Sequence, residues 1–232
     1  MEPFRRRSYH GRMNIAPTRS SVIIPADGTS LEGDLVVPPE AAGLAIFAHG
    51  SGSGRYSSRN RYVAERLQAA GIATLLMDLL TDIEGGMDET TAEFRFDVGL
   101  LARRLDAASE FARSYPETSG LRLGLFGAST GAAAALIAAA DRPELYGAVV
   151  SRGGRPDLAE DWLPRVEAPT LLIVGGADSP DMQRWNREAL GRLRSSRKKL
   201  LIVPGAGHLF EEADALETVA DAAALWFADA LH

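Results

Sequence analysis

Five consecutive residues, Gly127-Ala128-Ser129-Thr130-Gly131, set a serine between two glycines, directly after the apolar run Leu121 to Phe126 and directly before the alanine-rich stretch Ala132 to Ala140. A G-x-S-x-G string between a strand and a helix is the pattern of a serine lifted onto a sharp turn. The chemistry requires that shape. A serine hydroxyl is a weak nucleophile and must project where a histidine can take its proton, while glycines two residues to either side avoid Cβ clashes in the crowded turn. The helix that follows adds the Thr130 N–H as a donor to a developing oxyanion, and its dipole favours negative charge at that end.

Such a serine needs a base. His208, in Gly205-Ala206-Gly207-His208, follows the apolar strand that ends at Val203, whereas His10 and His232 are terminal and His49 opens a glycine-rich turn. His208 is therefore the expected general base. Asp178, in Gly175-Gly176-Ala177-Asp178 after the strand Thr170 to Val174, is the expected carboxylate behind the histidine, with Asp181 as the competing acid and helix capping as the alternative for either one. A fourth strand end carries His49-Gly50-Ser51-Gly52-Ser53-Gly54. Its glycines could cradle phosphate, but the lysine of a phosphate loop is missing. The turn reads better as the second oxyanion donor, through the backbone N–H of Ser51 or Gly52 beside that of Thr130, with His49 hydrogen-bonded inside the turn.

These residues need a frame that brings four strand ends together. Short runs Ser21 to Ala26 and Ser30 to Val37 flank Asp27-Gly28 and read as a β-hairpin. Gly43 to Ala48, Ile72 to Met77 and Leu121 to Phe126 are continuous apolar runs of strand length, as expected for strands covered on both faces, and Gly147 to Val150, Thr170 to Val174 and Lys199 to Val203 continue the series. Helical patterns alternate with them at Asn60 to Ala70, Ala92 to Ser114, Met182 to Leu193 and about Ala213 to Ala230. The alanine-rich segment can press closely against a sheet and belongs at the centre. The expected fold is α/β: an N-terminal antiparallel hairpin, then a mostly parallel sheet with helices on both faces and ligands at the carboxyl ends of the strands. Residues 1–20, with Arg5, Arg6 and Arg7, read as a disordered tail, and residues 21–232 as one domain. Thr81 to Thr91 is either a flap or an acidic surface loop.

The chain has 232 residues and a formal charge of −6, which argues against capture of nucleic acid, and it has no cysteine, which excludes disulfides and thiolate chemistry. No signal-peptide or membrane-span pattern stands out, so a cytoplasmic protein without membrane attachment is expected. The His49-Gly50 turn, Gly127 to Gly131, Gly175 to Asp178 and Gly207-His208, each after its own strand, resemble those of α/β-hydrolases of the dienelactone hydrolase-like group, over nearly all of Ser21 to Leu231. The resemblance implies the α/β-hydrolase fold and hydrolysis of a small ester, lactone or related acyl substrate through an acyl-enzyme, with no metal or organic cofactor. One departure is plain: dienelactone hydrolases proper carry a cysteine where this chain has Ser129. Arginines grip the substrate carboxylate in that group, which makes Arg152, Arg55 and Arg59 the candidate substrate-binding residues here and an anionic substrate the corresponding expectation. The alternative for Arg152 is a brace to an internal acid. Acyl transfer to another alcohol uses the same triad, and a non-catalytic binding module on the same fold would lack one of its members.

Overall fold

The computed structural model describes residues 16–232. Eight strands form one sheet in the order β1-β2-β4-β3-β5-β6-β7-β8. β1 (Thr18–Ala26) and β2 (Thr29–Val37) make the hairpin over Asp27-Gly28, both with positive φ, and β2 runs antiparallel to β4 as well. From there the sheet is parallel: β3 (Gly43–Ala48), β4 (Ile72–Met77), β5 (Arg122–Ala128), β6 (Tyr146–Arg152), β7 (Thr170–Gly175) and β8 (Lys198–Val203). β1 starts at Thr18, so residues 18–20 belong to the sheet and not to the expected tail; Arg5, Arg6, Arg7 and the rest of residues 1–15 lie outside the described residues.

Two core layers follow from the strand alternation. Along β3, Leu44, Ile46 and Ala48 face one layer, with α3 (Val98–Ser114) and α4 (Thr130–Asp141), while Ala45 and Phe47 face the other, with α1 (Ser58–Ala69) and α6 (Ala215–Leu231). The alanines of α4 are buried and let its backbone lie close against the sheet, as their small volume requires. α5 (Pro180–Arg192) packs on the α4 side through Ala189.

Three expectations are corrected. The segment after β4 is neither open flap nor loop but a helix, α2 (Asp82–Thr91), closed at its N-terminus by a reciprocal capping box between Thr81 and Glu84. The helix expected to begin at Ala92 begins at Val98. Ala92 instead ends α2 in a left-handed conformation, and the N–H groups of Phe94 and Arg95 turn back onto the Asp88 carboxylate. β6 also runs two residues past Val150, which makes Arg152 its last residue rather than the first of the loop.

Candidate active site

Ser129 stands between β5 and α4 with φ 51° and ψ −119°, a conformation that costs a side-chain-bearing residue energy and is held here by its surroundings. Its N–H donates to the Arg152 carbonyl, and its own carbonyl accepts from Ala132 and Arg155. Both motif glycines are sterically required. A Cβ on Gly131 would run into the Ala48 and His49 carbonyl oxygens, and one on Gly127 into the Ala132 backbone. The turn is thus clamped between the end of β3 and the start of α4, with the serine half-buried.

His208 and Asp178 reach the same end of the sheet from β8 and β7. His208 Nδ1 and Asp178 Oδ2 are 2.9 Å apart; the Asp178 side chain is 6% exposed and that of His208 37%. Their loops are fastened together. Gly176 N–H donates to the Val203 carbonyl and Ala177 N–H to the Ala206 carbonyl, while Ser179 N–H holds the second Asp178 oxygen. Asp181 points elsewhere, paired with Arg184 on the exposed face of α5. Gly153, one residue beyond the carbonyl that holds Ser129, packs under the histidine: its Cβ position lies 3.5 Å from His208 Cε1. His208 is thus bonded to Asp178, and the Ser129 turn is linked to the histidine through the Arg152 carbonyl and Gly153.

The turn after β3 is folded as its sequence suggests. Its Gly50 abuts Ser129, and Ser51 Oγ lies 3.2 Å from Thr130 Oγ1, joining the two segments expected to offer oxyanion donors. His49 Nε2 accepts from Leu79 N–H, which puts the ring proton on Nδ1, where it donates to the Gly50 carbonyl. Burial lowers the His49 pKa, outweighing its bond to Gly50 and the charge of Asp78. A cavity of about 450 Å³ opens beside this turn, bounded by Ser51, Tyr56, Leu80, Thr130 and the Gly85-Gly86 face of α2. That wall was not legible as a helix, although the Thr81 to Glu84 spacing of a capping box was there to be read.

The three arginines fare differently. Arg55 lines the cavity and is bound to Asp78 and Glu32, so it braces the turn. Arg59 reaches Glu211 at 3.0 Å. Arg152 is 8% exposed and no acid among the described residues pairs with it, which removes the internal brace as its role. Desolvation, and then the like charge of Arg59, pull its pKa down to about 10.

Eight strands in this order, with a left-handed serine turn after β5 and the His208–Asp178 pair behind it, define the α/β-hydrolase fold. The chain belongs to the dienelactone hydrolase family, whose sequence profile matches residues 36–232. A crystal structure of a dienelactone hydrolase from Anabaena variabilis is similar over 94% of this chain and 100% of that one, with 54% identity and a TM-score of 0.91. Est1E from Butyrivibrio proteoclasticus shares the fold at 18% identity, with a TM-score of 0.76 over 91% of this chain and 98% of its own. A Mycobacterium tuberculosis protein named "Putative phosphoribosyl transferase" is 51% identical over 210 residues, which are 90% of this chain and 46% of that protein. The chain spans about half the length of the curated relatives it matches first. No helix among the described residues is long and apolar enough to cross a membrane.

Proposed function

We propose that the protein is a serine hydrolase acting on a small ester, lactone or related acyl substrate. The observation that carries this reading is the His208–Asp178 pair, locked by interloop hydrogen bonds at the strand ends that also present Ser129 in its left-handed turn. Ser129 Oγ attacks the carbonyl carbon while His208 Nε2 takes the hydroxyl proton, and the imidazolium is stabilised through Nδ1–H by Asp178. The N–H groups of Thr130 and of Ser51 or Gly52 hold the oxyanion until the C–O bond to the leaving group breaks, His208 returning its proton to the departing oxygen. A water deprotonated by the same histidine then frees the acid and restores Ser129. Apart from that water and the substrate, these steps call only on groups of this chain.

A fluorophosphonate probe tests the assignment. It is expected to label Ser129 alone, and Ser129→Ala to remove both labelling and turnover of a short p-nitrophenyl ester by several orders of magnitude. A label on Ser51 or Ser53, or retention of more than about a tenth of wild-type kcat in Ser129→Ala, overturns it.

A further inference from the structure

Burying a guanidinium without a counter-charge is unfavourable, and this fold otherwise avoids it. Arg104, as deeply buried as Arg152, leaves its Nε without a partner but gives its two Nη atoms to Glu84 and to the Ala26 carbonyl, so its charge is matched; Arg95 is bound to Asp88 and Arg155 to Asp157. Arg152 is the exception. Its Nη1 is buried with no hydrogen-bond partner, and so is Nε of the neighbouring Arg59 at the start of α1, two donors on two separate guanidinium groups. Both side chains belong to the His208 side of the molecule: Arg59 is tied to Glu211, three residues beyond His208, and the residue after Arg152 packs on His208 and Phe210.

We propose that Arg152 and Arg59 form a receptor for a phosphate group. The chemistry selects the ligand. One carboxylate is satisfied by a single guanidinium fork, whereas a phosphate monoester carries up to two negative charges and three terminal oxygens that can accept from two forks at once. The position selects how it connects with the proposed hydrolysis, on which the substrate part of this inference rests. In the sheet order, β5 with Ser129 lies between β3 and β4, over whose ends the cavity opens, and β6, which ends at Arg152. The cavity is lined by Asp78, Asp82, Asp88 and Glu89 against only Arg55 and Arg95, which disfavours an anion there. The outer opening beside Arg59 carries Glu211, Glu212, Asp214 and Glu217, so the proposed receptor uses the unpaired inner donors, Arg152 Nη1 and Arg59 Nε, and not that outer face. A substrate lying across Ser129 therefore places its uncharged part in the cavity and its phosphate at Arg152. Free phosphate presents the same chemistry to the same donors.

The test begins with binding. Inorganic phosphate is expected to raise the Tm of the wild-type protein in a saturable manner that sodium chloride at equal ionic strength does not reproduce. Ser129→Ala is expected to keep that response, so a failed hydrolase assignment leaves the binding result readable. Arg152→Met is expected to lose it without loss of basal Tm, because removing an unpaired buried charge relieves a cost; Arg152→Lys and Arg59→Gln are expected to weaken it, and they serve if the methionine variant does not fold. Kinetics then separate the two sources of phosphate. An ester bearing a phosphate monoester is expected to exceed matched neutral and carboxylate esters in kcat/KM by at least about tenfold, with the ratio collapsing in Arg152→Met. Competitive inhibition by inorganic phosphate without that preference assigns the receptor to the free ion. The proposal fails if phosphate leaves the wild-type Tm unmoved, if Arg152→Lys and Arg59→Gln both keep the full wild-type response to phosphate, or if the carboxylate ester gains as much as the phosphate ester.

Discussion

Two histidines stand at the strand ends, and their surroundings give them opposite tasks. His208 gives one nitrogen to Asp178 and has a partly exposed side chain, whereas His49 is buried and uses both nitrogens inside the turn, one as donor and one as acceptor. Protonating His49 would turn its acceptor toward the Leu79 N–H as a second donor, and burial opposes the charge in any case. The consequence for stability follows from the lowered pKa. Below the ordinary value of 6.5 the unfolded chain takes up a proton that the folded chain resists, so stability is lost as pH falls from there toward the depressed folded value. Urea denaturation between about pH 5 and pH 7.5 is expected to show a loss of up to about 1.4 kcal/mol per pH unit from this group, and His49→Gln to flatten it. For Asp178 the readout is turnover. Asp178→Asn keeps the shape of the carboxylate but removes the charge that stabilises the imidazolium, and kcat is expected to fall by about 10⁴ while urea stability changes little. A loss below tenfold would remove Asp178 from the mechanism.

At the scale of elements, α2 is pinned at both ends and walls the cavity between them. Glu84 caps its own helix and also binds the buried Arg104, while Asp88 collects the Phe94 and Arg95 N–H groups and the Arg95 guanidinium. Asp88→Ala leaves those donors unsatisfied and frees the C-terminal end of α2. Hydrogen exchange across residues 82–97 is expected to accelerate, with KM for a short ester rising several-fold and kcat changing less, since the proposed triad is anchored elsewhere. Unchanged exchange there would mean that Asp88 does not hold the helix. This element also marks the limit of what the sequence discloses. Strands and alanine-rich α4 were legible because continuous apolar runs admit one reading, and the strand-end positions of Ser129, Asp178 and His208 were legible because each follows such a run. α2 was obscured by Gly85-Gly86, poor helix formers whose cost is offset by capping and by ion pairs to distant residues. The apolar spacing that joined Phe94 to α3 is broken by a turn over Phe94 to Asp97, whose Asp97 N–H donates to the Phe94 carbonyl, and the left-handed Ala92 before it leaves no mark in the sequence. The solitary state of Arg152 was equally invisible, since whether an arginine has a partner depends on which elements the sheet order brings beside it.

For the molecule as a whole, the parallel sheet separates what stabilises the fold from what does the proposed chemistry. The proposed triad lies at the carboxyl ends of the strands, and α6 covers one face of the sheet, with Phe227 set over Gly124 near the start of β5. The fit is close: a Cβ on Gly124 would come within 2.6 Å of the Phe227 ring. Phe227 is fully buried among residues from α1, α6 and the sheet strands, so cutting it back leaves a cavity that backbone on both sides cannot fill. Phe227→Ala is expected to cost about 3–5 kcal/mol of unfolding free energy, read as a lowered urea midpoint with an unchanged slope. Because Gly124 lies five residues from Ser129 along a strand rising about 3.3 Å per residue, the damage sits roughly 16 Å from the serine. Fluorophosphonate labelling of the folded fraction at low temperature should therefore proceed at the wild-type rate. A labelling rate that fell in step with stability would mean that the elbow and the α6 face are mechanically coupled, and that the sheet does not insulate the site from the packing beneath it.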